Sequence, residues 1–279
     1  MKIVVTGGSG LTGRAVVADL VEHGHSVLNI DRVKPEQSPA PHKFADLQDL
    51  GQVYGCLGGA DAVIHLAAIP RPIYDTNEVV FRTNTMATYN LLEAAAALCI
   101  RRVVLASSMA VFGYPFFYRP IAPAYAPIDD EHPHEAQDPY AISKVVGEQL
   151  ADAFVRRAEM TIISLRLSWI HTPGTFRQQL TPFWEDPAGG ASNLWSYVDS
   201  RDVAQAFRLA LTADLTGHHA MIIAAPDSFM KTPTADLVRQ YYPSTTLRPE
   251  LQGRASLLSS ARAERLLGYK SAYTWESYF

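Results

Sequence analysis

The chain has 279 residues, 48% of them hydrophobic and 19% charged, with a formal net charge of −4. That length can bury a sizeable core, and the composition is that of a soluble globular protein. The weak negative charge gives no support for a nucleic-acid footprint or a polybasic membrane patch.

Met1 passes straight into Lys2-Ile3-Val4-Val5, too short an apolar run for the core of a secretory leader. No stretch reaches the roughly 18 to 20 apolar residues of a membrane helix, so a cytoplasmic protein is expected. Cys56 and Cys99 match no metal or redox spacing and read as buried thiols.

Strand and helix signals alternate through the first half. Lys2–Val5 reads as a strand, Leu11–Glu22 as a helix, and Ser26–Ile30, Ala62–Leu66 and Arg102–Ala106 as further strands. Between the last two lies a long helical stretch ending in Tyr89-Asn90-Leu91-Leu92-Glu93 and an alanine run. Its Met86/Leu91/Leu92 side is expected to be core or subunit interface. Residues 113–139, rich in proline and aromatics, forbid regular helix and read as an ordered loop. A helix at Pro139–Ala158, a strand at Thr161–Leu165, a helix near Arg201–Leu211 and a strand near Ala220–Ala224 follow. The class is α/β, a doubly wound parallel sheet of Rossmann type with a small C-terminal substrate-side lobe. Residues 1–166 are expected to form the nucleotide-binding domain. Residues 167–279 are expected to form the smaller lobe, returning a helix and a strand to the Rossmann core.

Thr6-Gly7-Gly8-Ser9-Gly10-Leu11-Thr12-Gly13 follows the first strand and opens the first helix. Gly7, Gly10 and Gly13 permit a tight turn, close approach of a pyrophosphate, and close helix–strand packing. The phosphates would face a helix N-terminus, whose free N–H groups and dipole favour anions. Asp31, at the end of the second strand, can accept from both ribose hydroxyls and repels a 2′-phosphate, which favours NAD over NADP. Arg32 beside it would soften that preference.

With this glycine spacing the sequence resembles the extended (atypical) short-chain dehydrogenase/reductase family, of the NAD-dependent epimerase/dehydratase type. Asp46-Leu47 is similar to the family's adenine-contacting pair, and His65-Leu66-Ala67-Ala68 to its fourth-strand motif beside the cofactor. Asn84 stands where the family has a helix asparagine. Leu105-Ala106-Ser107-Ser108 is similar to its Ser-Ser strand end, Tyr140-Ala141-Ile142-Ser143-Lys144 to its Tyr-x-x-x-Lys, and Trp195-Ser196-Tyr197-Val198-Asp199 to a substrate-side motif. The resemblance implies an oxidoreductase with Ser108, Tyr140 and Lys144 as catalytic residues and NAD as cofactor. It also implies a homodimer formed through the helices around residues 76–98 and 139–158.

Tyr140 and Lys144 lie four apart, on one helix face. A free tyrosine, with a pKa near 10, is a poor base at neutral pH. The ammonium and the nicotinamide cation are expected to lower it. Lys144 would also hold the nicotinamide ribose, while Ser107 and Ser108 would meet the substrate, Ser108 orienting its reacting oxygen. Met109 and Ala110 occupy the positions of the acid pair found in family dehydratases, so dehydration is not expected. The short final lobe favours a small sugar-like or sugar-acid substrate over a nucleotide-linked one, with Arg177, Trp195 and Tyr197 as candidate substrate contacts. The alternative is a sugar or nucleotide-sugar epimerase that retains its NAD. The histidine pairs His132/His134 and His218/His219 lack a third ligand and read as solvated or capping residues, so no metal is expected.

Overall fold

In the computed structural model, which describes residues 1–279, the alternating signals resolve into one seven-stranded, wholly parallel sheet. In chain order the strands are β1 (Lys2–Thr6), β2 (Ser26–Ile30), β3 (His42–Lys43), β4 (Ala62–His65), β5 (Arg102–Ser108), β6 (Tyr125–Ala126), β7 (Thr161–Leu167), β8 (Ile170–His171), β9 (Val198–Asp199), β10 (His218–Ile223) and β11 (Thr246–Leu247). The main sheet runs β10-β7-β5-β4-β1-β2-β3, with β6/β11 and β8/β9 as separate two-stranded pairs. The helices are α1 (Leu11–Glu22), α2 (Leu50–Leu57), α3 (Asn77–Ala97), α4 (Pro139–Ala158), α5 (Phe176–Glu185), α6 (Pro187–Ala191), α7 (Ser200–Thr212), α8 (Thr234–Tyr241) and α9 (Ala261–Leu267). None is long and apolar enough to cross a membrane.

Both faces of the sheet are covered, which is why its strands read as continuous apolar runs. On one face Val16, Val17 and Leu20 of α1 pack with Val203 and Phe207 of α7. On the other, Val53 and Leu57 of α2, Leu91 and Leu92 of α3, and Ala151 and Phe154 of α4 close over Val63, Val103 and Ile162. Each such fully buried side chain contributes about 1.5–3 kcal/mol. A third core joins the loop after β5 to the C-terminal region through Phe112, Tyr114, Phe176, Trp195, Tyr197 and Phe229. The loop is thus ordered because its aromatics are buried.

Strands β5 and β7 continue past the predicted Ala106 and Leu165, to Ser108 and Leu167. Parallel pairing of Ser107 with Arg166 and Ser108 with Leu167 carries polar residues that hydropathy alone does not place in a strand. The pattern also missed β3 and α2. The first has only two residues, and the second starts from Asp49, whose carboxylate caps Gln52 N–H at 3.1 Å. Helix α4 begins as the sequence requires, with Asp138 accepting from Tyr140 N–H (2.9 Å) and Ala141 N–H (3.1 Å), and Pro139 in its first turn. Of the two thiols Cys56 is buried, but Cys99 is exposed, contrary to expectation, because it lies just beyond α3 at φ +57°. Leu91 and Leu92 are core, whereas Met86 is exposed.

His65 ties three elements together. Thr6 Oγ1 donates to its Nδ1 at 2.7 Å, and its Nε2 meets Thr88 Oγ1 at 3.2 Å, the Thr88 hydroxyl donating in turn to Asn84 O at 2.9 Å. The neutral ring is fully engaged. Burial, followed by the Lys144 charge, lowers its pKa from 6.5 to about 3. The folded value is depressed, so the stability of the neutral ring is complete above pH about 6.5 and is lost as pH falls towards about 3. The stability gap between the native chain and His65→Asn should therefore be widest near pH 7. In urea titrations it should close by about 1.4 kcal/mol per pH unit below 6.5. A gap independent of pH would show that the ring is not held neutral.

Candidate active site

Gly7, Gly10, Leu11, Gly13, Asp31, Arg32, Asp46, Leu47, Leu66, Ala67, Ala68 and Asn84 all line one cavity of about 520 Å³ at the carboxyl ends of β1, β2 and β4. Its floor is built by close approach. Gly7 has φ +73°, and a Cβ there would stand 2.6 Å from Ala67 N, while a Cβ on Gly13 would strike Gly7 O. Gly10 differs. It is exposed, and a Cβ there would have only Gly7 O within reach, at 3.4 Å, so its missing side chain leaves open space at the start of α1. No side chain caps that helix, which leaves its first N–H groups for an anion. Asp31 fixes the loop beside it, accepting from Ser9 N–H and Val33 N–H at 3.0 Å each, and Asn29 Nδ2 donates to Ser9 Oγ at 3.1 Å. An anion-accepting helix end, an open glycine and a carboxylate on the second strand fit a dinucleotide.

Asn84 lines this cavity, but its amide is already occupied. Oδ1 accepts from Ile69 N–H at 2.7 Å, and Nδ2 donates to Ile69 O at 3.1 Å and to Ser143 Oγ at 3.3 Å. Ser143 Oγ donates to Tyr140 O at 2.7 Å. One buried side chain thereby joins the cleft wall after β4 to the helix carrying Tyr140 and Lys144.

Ser108, Tyr140 and Lys144 converge beyond the cavity. Ser108 Oγ accepts from Ala110 N–H at 3.1 Å and lowers the cost of ionising the nearby Tyr140 phenol. Lys144 Nζ donates to Ala106 O at 2.6 Å and lies 5.5 Å from the Tyr140 ring centre. Burial lowers the Lys144 pKa to about 8, against the opposing pull of Glu148. In the chain alone the Tyr140 phenol is pushed upward, because burial outweighs the contributions of Ser108 and the Arg71 charge, and Asp138 adds to the rise.

Four sequence-predicted substrate contacts lie elsewhere. Ser107 Oγ donates to Glu148 Oε1 at 2.6 Å, inside a buried network in which Arg166 grips Glu148 at 3.0 and 2.8 Å. Trp195 is fully buried and its indole N–H donates to Pro187 O at 2.8 Å. Tyr197 is fully buried as well, its hydroxyl donating to Asp227 Oδ1 at 2.6 Å. Both are core residues, since the strand pair β8/β9 turns this segment inward. Arg177 donates to Tyr278 O at 2.9 Å and stacks on Phe279, so its guanidinium is engaged by the final turn. The histidines are not simply solvated either. His132 is buried, Ala124 N–H donating to its Nε2 at 3.1 Å, and Arg166 lies 3.0 Å from His134 Nε2. His218 is held by Ser164 and Asp152, at 2.9 and 2.8 Å.

Sequence reasoning missed Arg71, whereas Phe116 belongs to the proline- and aromatic-rich loop already singled out. Arg71 follows the cleft residues Ile69 and Pro70 and acts electrostatically on Tyr140, and Phe116 stands edge-on to the Tyr140 ring at 6.2 Å. Neither belongs to a spaced motif. The available signal for Arg71 was its place three residues after the His-Leu-Ala-Ala segment.

Comparison with known proteins agrees with this fold. L-arabinose 1-dehydrogenase (NAD(P)(+)) of Haloferax volcanii is 30% identical over 77% of this chain and 84% of its own length. UDP-glucose 4-epimerase of Corynebacterium glutamicum is 24% identical over 98% of this chain and 92% of its own. Among solved structures, MoeE5 in complex with UDP-glucose and NAD superposes with a TM-score of 0.74 at 23% identity, covering 98% of this chain and 94% of that one. The model of the NAD dependent epimerase/dehydratase family matches residues 3–224. The chain belongs to that family, the extended branch of the short-chain dehydrogenases/reductases.

Proposed function

We propose that the protein is an NAD-dependent dehydrogenase that oxidises a hydroxyl-bearing carbon of a small sugar or sugar acid. The observation that carries this reading is the convergence of Ser108, Tyr140 and Lys144 beyond a cavity suited to a dinucleotide. Gly7, Gly10, Leu11 and Gly13 would hold the pyrophosphate, with Asp31 and Arg32 at the adenosine ribose. Asp46 and Leu47 would meet the adenine, and Leu66, Ala67, Ala68 and Asn84 would form the opposite wall. When bound, the nicotinamide supplies the hydride acceptor. Ser108 orients the substrate hydroxyl, Tyr140 takes its proton, and Lys144, held on Ala106 O, provides the positive charge beside the phenol. Met109 and Ala110 are buried and carry no ionisable group, so the site has no acid pair for dehydration.

Exposed apolar side chains on α3 and α4, namely Phe81, Met86, Tyr89 and Ile142, support a homodimer through these helices. Two unpaired thiols are in keeping with a cytoplasmic location.

Tyr140→Phe should lower turnover by about 10²–10⁴-fold while NAD affinity by calorimetry stays near native, whereas Lys144→Met should damage both. Assayed on a panel of sugars and sugar acids, the native chain should release one NADH per substrate consumed. Native turnover by Tyr140→Phe would remove the assigned acid/base, and stereochemical inversion without free NADH would make the protein an epimerase that retains its cofactor. Asp31→Ala should weaken NAD binding by about tenfold and narrow the preference over NADP. Equal native affinity for the two dinucleotides would contradict the role given to Asp31.

A further inference from the structure

Ser107 has no part in the chemistry described above, yet its hydroxyl makes one of the shortest bonds near the site. It donates to Glu148 Oε1 at 2.6 Å, the length of a hydrogen bond to an ionised carboxylate. Glu148 is clamped in turn, Arg166 Nε donating to Oε1 at 3.0 Å and Nη2 to Oε2 at 2.8 Å. All three side chains are buried.

Two connections join this network to Lys144. Glu148 lies four residues after Lys144 on α4, so both side chains leave the same face of the helix, one turn apart. On the strand, Ser107 directly follows Ala106, whose carbonyl accepts from Lys144 Nζ at 2.6 Å. The links close into a ring: Lys144 to Ala106, Ala106 to Ser107, Ser107 to Glu148, and Glu148 through one turn of α4 back to Lys144.

The ring forms where the strand needs a second attachment. β4 pairs with β5 only as far as Leu105, whereas β7 pairs with it through Ser108. Beyond Leu105 the strand end has a ladder on one side alone. The lysine stem is flexible, and Ala106 O is the one acceptor the chain gives its ammonium, so any drift of that carbonyl carries the charge with it.

We propose that Ser107 is a positioning residue: its bond to Glu148 fixes the Ala106 carbonyl and thereby the place of the Lys144 ammonium. This tie rests on the oxidoreductase reading above for what the ammonium does.

Two measurements test it, and the first needs no cofactor. The chain alone is labelled with a trace of acetic anhydride, and acetylation of Lys144 is read by mass spectrometry. Ser107→Ala should label Lys144 about threefold faster or more, as a freed side chain opens to solvent. Ser164→Ala removes an equally buried hydroxyl from β7, one bonded to His218 at 2.9 Å, and should leave the Lys144 rate native. The second measurement is NAD affinity by calorimetry. Ser107→Ala should weaken it by about tenfold, and should cost nothing further once Lys144 is replaced in Lys144→Met. If Ser107→Ala shows no cooperative urea transition, Ser107→Cys, which keeps the size with a weaker donor, carries the same comparisons. A native rate of Lys144 labelling in the Ser107 variant, an equal rise in Ser164→Ala, or losses of NAD affinity that add to those of Lys144→Met would overturn the assignment. If labelling responds as expected but the native chain binds no NAD, the oxidoreductase reading fails and the tie stands.

Discussion

The site depends on the carboxamide of Asn84. It lies in the middle of α3, buried, and binds both main-chain groups of Ile69 together with the hydroxyl of Ser143. Without it two main-chain groups of the cleft wall would lose their partners, at about 1–3 kcal/mol for each one left buried and unpaired. More important is what the bonds connect. The wall that faces the glycine loop, helix α3, and the helix that carries Tyr140 and Lys144 meet at one side chain. The cleft and the catalytic pair therefore keep a common register.

Around that joint, burial and charge pull in opposite directions. Burial pushes the Tyr140 phenol up and brings the Lys144 ammonium down to about 8, so both groups are biased towards their neutral forms. Arg71 opposes that bias at the phenol and Glu148 opposes it at the ammonium. Glu148 stays ionised because Arg166 and Ser107 hydrogen-bond it, which more than offsets the cost of its burial. The buried Ser107–Glu148–Arg166 network thus lets two central strands end in polar residues and leaves a fixed negative charge behind Lys144.

Much of this architecture was legible in the sequence because it is written in local patterns. The glycine spacing after β1, Asp31 closing β2, and Tyr140 four residues before Lys144 each report a geometry that neighbouring residues enforce. Asp138-Pro139 marks the start of α4 in the same way. What the sequence left unread depends on contacts between distant segments. Trp195 and Tyr197 have the composition of a binding wall, but β8 pairs with β9 and turns them into the core. Arg177 has the chemistry of a carboxylate clamp, but residues about a hundred positions later occupy it. Ser107 and Ser108 are adjacent on a strand and so point to opposite sides, one to Glu148 and the other to Tyr140. Arg71 carries no motif; it follows Ile69, which Asn84 anchors from another helix.

The shared joint distinguishes this account from one in which cofactor cleft and catalytic helix are independent modules. The most direct measurement compares NAD affinity and turnover in Asn84→Ala with those of the native chain, with urea unfolding followed in parallel. The account predicts that both fall together, each by about tenfold or more, while unfolding remains one cooperative transition. Native NAD affinity with native turnover in Asn84→Ala, or a loss in only one of them, would contradict it.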